Sequence, residues 1–199
     1  PSVATILTLN SQIREADAPR LLLRFEDDPD TAAFEDASGY GNVGRCQGAG
    51  CPTIADGRYV RGVDLDGDDD LVSPTLQLDQ SLTGGGATMM AWVYPRRSGG
   101  GNQQVISTND GNRDWSLLQS GTSWRVFLGN NVEQDAGSVT LDQWQHVAVV
   151  FDPGSGTKLF KNGDQVGAWD AVHHNPNTGP VTIGATPVVN GKPLLSCML

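Results

Sequence analysis

Cationic residues are scarce in this chain: 13 lysines and arginines stand against 23 aspartates and glutamates, for a formal net charge of −10. Nucleic acid and anionic membrane surfaces both call for a positive face, so neither is the expected partner. No stretch approaches the ~20 consecutive apolar residues of a membrane-spanning helix, and the run LLLRF at 21–25 is far too short. Apolar residues at helical period are missing too, which leaves at most a turn or two of helix in SPTLQLDQSL at 73–82. The chain starts at Pro1 without an initiator methionine or signal-peptide pattern, so it reads as a processed form or an excerpt of something longer. Cysteine is sparse, with Cys46 and Cys51 in RCQGAGCP and Cys197 near the end. A zinc site would need a second ligand pair, and His173 and His174 are adjacent instead of spaced as ligands. A local Cys46–Cys51 disulfide is the better reading, stabilising by about 2 kcal/mol on the chain-entropy view and implying an oxidising compartment. Cys197 is then free or waits for a partner outside the chain.

Glycine (25) and proline (11) are plentiful, and a chain of 199 residues fits one all-β unit. A domain of this size buries roughly 70% of its unfolded surface and needs no cofactor to hold its core. From Leu21 onward, short β-type runs alternate with turn chemistry such as GYGN, TGGG, NDGN and DPGSG. Strands are expected at Leu21–Phe25, Gly62–Leu65, Asp70–Ser73, Ala87–Tyr94, Gln104–Thr108, Trp115–Gln119, Trp124–Leu128, Gln145–Phe151, Lys158–Lys161, Gln165–Ala168 and Pro180–Ile183. Asn162-Gly163 between two of them is the strongest short hairpin signal, because a type I′ turn needs positive φ at both central residues. Residues 1–20 read as a strand and linker, either an edge strand of the main unit or an arm that pairs with a neighbour.

Four segments in fixed order carry a resemblance: DASGYGN at 36–42, GVDLDGDDDLV at 62–72, ATMMAWVYP at 87–95, and WQHVAVVFD at 144–152 continuing through 158–163 to VTIG at 181–184. Together they resemble the laminin G-like jelly-roll domains of the concanavalin A-like superfamily, in the form found in bacterial surface proteins. The resemblance covers roughly residues 21–190 and implies a two-sheet antiparallel sandwich over 21–199. Family members usually end on one more strand, of acidic-acidic-Val-x-Ile/Leu-Tyr type, whereas this chain ends in LLSCML. An open strand position of that kind would favour pairing with another chain.

The resemblance also implies a calcium ion near the loop after the first strand. Asp36 and Asn42, with backbone oxygens of the same loop, are the candidate ligands, being the hard oxygen donors calcium prefers. Asp36 and Ser38 capping a turn is the competing reading. The acidic run Asp64, Asp66, Asp68, Asp69 and Asp70 imitates an EF-hand loop but lacks its terminal glutamate and flanking helices. For a sugar ligand the expected edge is the loop Asn109, Asp110, Asn112 and Arg113 leading to Trp115, while Trp92, Trp124 and Trp144 are expected in the core and Trp169 is left undecided. No two carboxylates alternate along a clear strand as in glucanases of this fold, so catalysis is not expected. These readings converge on an extracellular carbohydrate- or glycoconjugate-binding module, calcium-stabilised. A fibre subunit assembling with copies of itself is the alternative, and a glycoside hydrolase is a distant third.

Overall fold

In the computed structural model, residues 18–78, 86–99, 101–108, 115–129, 132–170, 180–189 and 192–194 are described. The chain enters through two-residue strands β1 (Ala33–Phe34) and β2 (Gly44–Arg45), a hairpin of β3 (Thr53–Asp56) and β4 (Arg61–Asp64), and β5 (Ser73–Pro74). Strands β1, β2 and β5 make a small antiparallel sheet. The longer strands follow: β6 (Ala87–Val93), β7 (Asn102–Ser107), β8 (Trp115–Ser120), β9 (Ser123–Leu128), β10 (Glu133–Ser138), β11 (Gln145–Asp152), β12 (Gly156–Lys161) and β13 (Asp164–Trp169). Short β14 (Thr182–Ile183), β15 (Thr186–Val189) and β16 (Lys192–Leu194) complete the set.

Two antiparallel sheets form the sandwich, one of five strands in the order β10-β9-β8-β7-β14 and one of four in the order β13-β12-β11-β6. The period-2 alternation of strands decides which residues lie between them. Met89 and Val93 of β6, Val147, Val149 and Phe151 of β11, and Leu159 of β12 meet Val105, Trp115, Leu117, Trp124, Val126 and Leu128 of the other sheet in one buried cluster. Each such side chain taken out of water contributes roughly 1.5–3 kcal/mol. A second cluster of Phe34, Val63, Val72 and Ile183 lies under the entry strands. Paired backbone bonds between Val72 and Ile183, 3.0 and 2.9 Å, tie this annex to the five-stranded sheet. The all-β sandwich is thus as expected, and no helix among the described residues is long and apolar enough to cross a membrane.

The Asn162-Gly163 hairpin joins β12 to β13 with φ of 52° and 92° at the two turn residues, as the type I′ geometry requires. Cys46 and Cys51 are disulfide-bonded across a short 3-10 turn at Gly48–Gly50. Several local expectations change. The run Leu21–Phe25 makes one bridge, Leu23 to Asp36, and Phe25 turns to φ 55°. The described part of SPTLQLDQSL is extended, with a strand at Ser73–Pro74 and a bridge from Gln77 to Pro180. Strand β10, sequence EQDAGS, was hidden by its polarity; it is an edge strand whose Asp135 faces Arg125 directly across the ladder and pairs with it. Residues 1–17 lie outside the described residues, and with them most of the expected N-terminal arm.

Trp115 is wholly buried and stacks on Phe151 with ring centroids 4.4 Å apart and planes 5° from parallel. We expect Trp115→Ala to destabilise the fold by about 3–5 kcal/mol, measured by urea unfolding. A change under about 1 kcal/mol would contradict its place at the centre of the sandwich.

Candidate functional site

Trp115, the ring expected at a sugar edge, is fully buried, faces inward against Phe151 and offers no surface to a ligand. Asn109, Asp110, Asn112 and Arg113 lie outside the described residues. Asp36 and Asn42 are brought together, but through N–H groups. The Asp36 carboxylate accepts from the backbone N–H of Leu22 and Ser38 at 2.9 and 3.0 Å on Oδ1 and of Asn42 at 2.8 Å on Oδ2. The Asn42 amide in turn donates to the Arg20 carbonyl at 2.8 Å. Burial alone would raise the Asp36 pKa, yet bonds from the Ser38 side chain and the three backbone N–H groups outweigh it and hold the carboxyl below its ordinary value. Both oxygens therefore face positive dipole ends, a poor setting for a cation. This carboxylate pins the 36–42 turn onto the entry segment.

Among the described residues, the carboxylates that do converge are those of Asp66, Asp69 and Asp70, with oxygens within 4.8 Å of one another. Burial pushes the Asp70 pKa up; the backbone N–H of Asp66 pulls it down, and the charges of Asp66, Asp69 and Asp64 push it further up. The acidic run thus forms a bend whose middle residue, Gly67, sits at φ 85°.

A larger feature lies on the outer face of the four-stranded sheet. Strand β6 sends Met89 and Val93 inward, so Trp92 emerges on the opposite face. Its register partner on β11 is His146, and the two rings meet edge to face at 5.3 Å. Trp144 precedes β11. It is set in place by Gln145, which accepts from the Thr140 N–H and donates to the Thr140 carbonyl at 2.7 Å, and by the Asp142 N–H bonded to the Pro95 carbonyl at 2.8 Å. Asn162, at the β12–β13 turn, binds the His146 backbone in both directions at 2.8 and 2.9 Å.

The β3–β4 turn completes the wall. Gly57 must be glycine there, since a Cβ would lie 1.9 Å from the Arg61 carbonyl oxygen. The tight turn carries Arg58 and Tyr59 to the sheet, and the Arg58 guanidinium lies over the Trp92 ring at 4.9 Å and the Tyr59 ring at 5.5 Å. Arg58, Trp92, Trp144, His146 and Asn162 line an open hollow of about 680 Å³. A second hollow of about 310 Å³ adjoins it and shares Trp144, with Ala55, Asp56, Val63, Asp64, Tyr94 and Arg96 as its other lining residues. Arg96 and Asp64 form an ion pair at 2.9 Å within it. Volumes of this size suit small-molecule ligands. Trp92 and Trp144, expected in the core, are instead half-buried walls of this groove, while Trp124 is fully buried as expected. Trp169 packs partly buried against the main core.

Residues 66–197 match the profile of Laminin_G_3, described as concanavalin A-like lectin/glucanases superfamily. The chain belongs to this family. Among solved structures, the binding domain of Paraclostridial Mosquitocidal Protein 1 superposes with a TM-score of 0.64 at 15% identity, over 93% of this chain and 49% of that one. The binding domain of Botulinum Neurotoxin DC in complex with SialylT gives 0.61 at 17%, over 85% and 44%. A mutant Trypanosoma rangeli sialidase displaying trans-sialidase activity gives 0.63 at 16%, over 91% and 30%. The chain spans about half or less of each, and at these identities the likeness is one of fold. A search of curated proteins finds no match.

Within this laminin G-like fold, Asp36 has a structural job that a pH titration exposes. Because its folded pKa lies below the unfolded value near 3.9, its stabilising contribution is full above that value and is lost as pH falls through the lowered one. We expect Asp36→Ala to cost about 2–4 kcal/mol at neutral pH, and the gap to wild type, measured by denaturant unfolding, to shrink in acid. A gap independent of pH would contradict the clamp.

Proposed function

We propose that this chain is an extracellular carbohydrate- or glycoconjugate-binding module of a secreted or cell-surface protein, holding its glycan in the groove that Trp144 shares between two hollows. That shared tryptophan is the observation carrying the reading. A sugar ring has an apolar C–H face and a polar rim. An aromatic wall with an arginine, a histidine and an amide on one side and carboxylates on the other answers both. Two hollows side by side suit a ligand of more than one sugar ring. The solved binding domains of related fold support a binding role, one of them being in complex with SialylT. The fibre alternative draws on the 1–20 arm, of which residues 1–17 lie outside the described residues, and no contact described above favours it.

Calcium is part of the proposal as a stabiliser and rests on the family resemblance. With Asp36 occupied by N–H donors, the carboxylates it would engage are those of Asp66, Asp69 and Asp70.

The test is binding of the purified chain to a broad glycan panel with calcium and with a chelator, the melting temperature being followed in both. We expect selective binding that falls about thirtyfold or more in Trp144→Ala, the loss typical of a central anchor. Melting is expected at higher temperature with calcium. A folded protein silent on the panel would contradict the glycan reading, and equal melting with calcium and chelator would contradict the metal.

A further inference from the structure

We infer that the larger hollow selects its saccharide by an acidic group, a carboxylate or a sulfate borne on the sugar, and that Arg58 is the residue that reads it. The inference rests on the glycan-binding reading above and deepens it. Donors outnumber acceptors among the polar groups lining this hollow, the His146 imidazole and the Asn162 amide being the residues that also carry an acceptor. Arg58 presents a guanidinium with five N–H groups and no acceptor, and the two indoles can only donate. The Asn162 carbonyl oxygen already accepts from the His146 backbone at 2.9 Å, so its NH₂ is the amide group still free for a ligand. Among the described residues no carboxylate lines it, in a chain that carries 23 of them. A sugar hydroxyl both donates and accepts, so a wall of donors matches it poorly. An acidic group only accepts and matches it well.

Arg58 is also prepared for the task. Arg61, Arg96 and Arg125 each pair with a carboxylate, whereas Arg58 pairs with none among the described residues. Its guanidinium instead lies against the Trp92 and Tyr59 rings, which stand nearly perpendicular to each other, and these contacts leave its N–H donors without a carboxylate partner. A planar fork held in this way meets a carboxylate or sulfate with paired hydrogen bonds and little further ordering. The turn that carries it is fixed by Gly57, whose N–H bonds to the Val60 carbonyl at 3.2 Å. The adjoining hollow has the opposite chemistry, with Asp56 and the Asp64–Arg96 pair able to receive hydroxyls. The ligand class is therefore an acidic sugar linked to a neutral one, the neutral ring lying beside Trp144.

The test compares matched probes by calorimetry: sialyllactose against lactose, trigalacturonate against galactotriose, and sulfated against unsulfated N-acetyllactosamine. Each is measured on the full chain as wild type, Arg58→Ala, Arg58→Lys and Trp144→Ala. The acidic member of at least one pair is expected to bind tenfold or more tightly than its neutral counterpart; the pair that does so tells carboxylate from sulfate. Arg58→Ala should weaken the acidic member of that pair tenfold or more relative to its neutral counterpart, Arg58→Lys should restore part of the preference, and Trp144→Ala should weaken both members. Equal binding of both members of every pair by wild type, or a preference that survives Arg58→Ala, overturns the acidic selection and leaves glycan binding standing. Failure of every probe to bind overturns both.

Discussion

The stack of Trp115 on Phe151 fixes the sandwich, and the site follows from it. One ring belongs to the middle of the five-stranded sheet and the other to the end of β11, so their contact sets which face of each strand looks inward. With Phe151 inside, alternation places Val149 and Val147 inside as well and turns His146 outward. The β6–β11 register then sets Trp92 opposite His146. The outer aromatic surface is thus a consequence of the core: an odd-numbered apolar set on β11 is buried, and an even-numbered position is left to carry chemistry.

What turns that surface into a groove is the annex formed by the entry strands. The β3–β4 hairpin lies along the sheet and delivers Arg58 and Tyr59 from one turn, and Asp56 and Asp64 from its two strands. Asp36 holds the neighbouring turn against the entry segment by three backbone bonds, and the Cys46–Cys51 disulfide closes the stretch between. A chain of strongly acidic balance thereby presents one hollow that, among the described residues, is free of carboxylates beside another that contains them. Electrostatics at the site is local, and the net charge of −10 does not describe it.

Much of the fold was legible in the sequence because strand and turn signals are short-range. Asn162-Gly163 named its own turn, and the long runs of β6, β8, β9 and β11 were bounded by glycine-rich loops. Facing was not legible where apolar residues stand on both sides of a strand. In ATMMAWV, Met89 and Met90 sit on opposite faces, as do Trp92 and Val93, so alternation does not say whether Trp92 faces in or out. Trp115 carries the same ambiguity: the polar residues before it point outward in sequence terms, yet its ring is buried. The β3–β4 turn carries a signal of its own, since Gly-Arg-Tyr-Val exposes two large apolar residues, Tyr59 at 75% and Val60 at 68%. The meeting of Arg58 and Tyr59 with Trp92 depends on contacts distant in sequence, which no local pattern contains.

The central claim is that a glycan occupies the groove at Trp144, and the indole N–H signals of an isotope-labelled sample report on it residue by residue. Titrated with a glycan that binds, the signals of Trp92 and Trp144 should shift together and saturate at one affinity, while those of Trp115 and Trp124, shut inside the sandwich, stay in place. Binding that leaves Trp92 and Trp144 unmoved would contradict the account and put the ligand elsewhere on the fold.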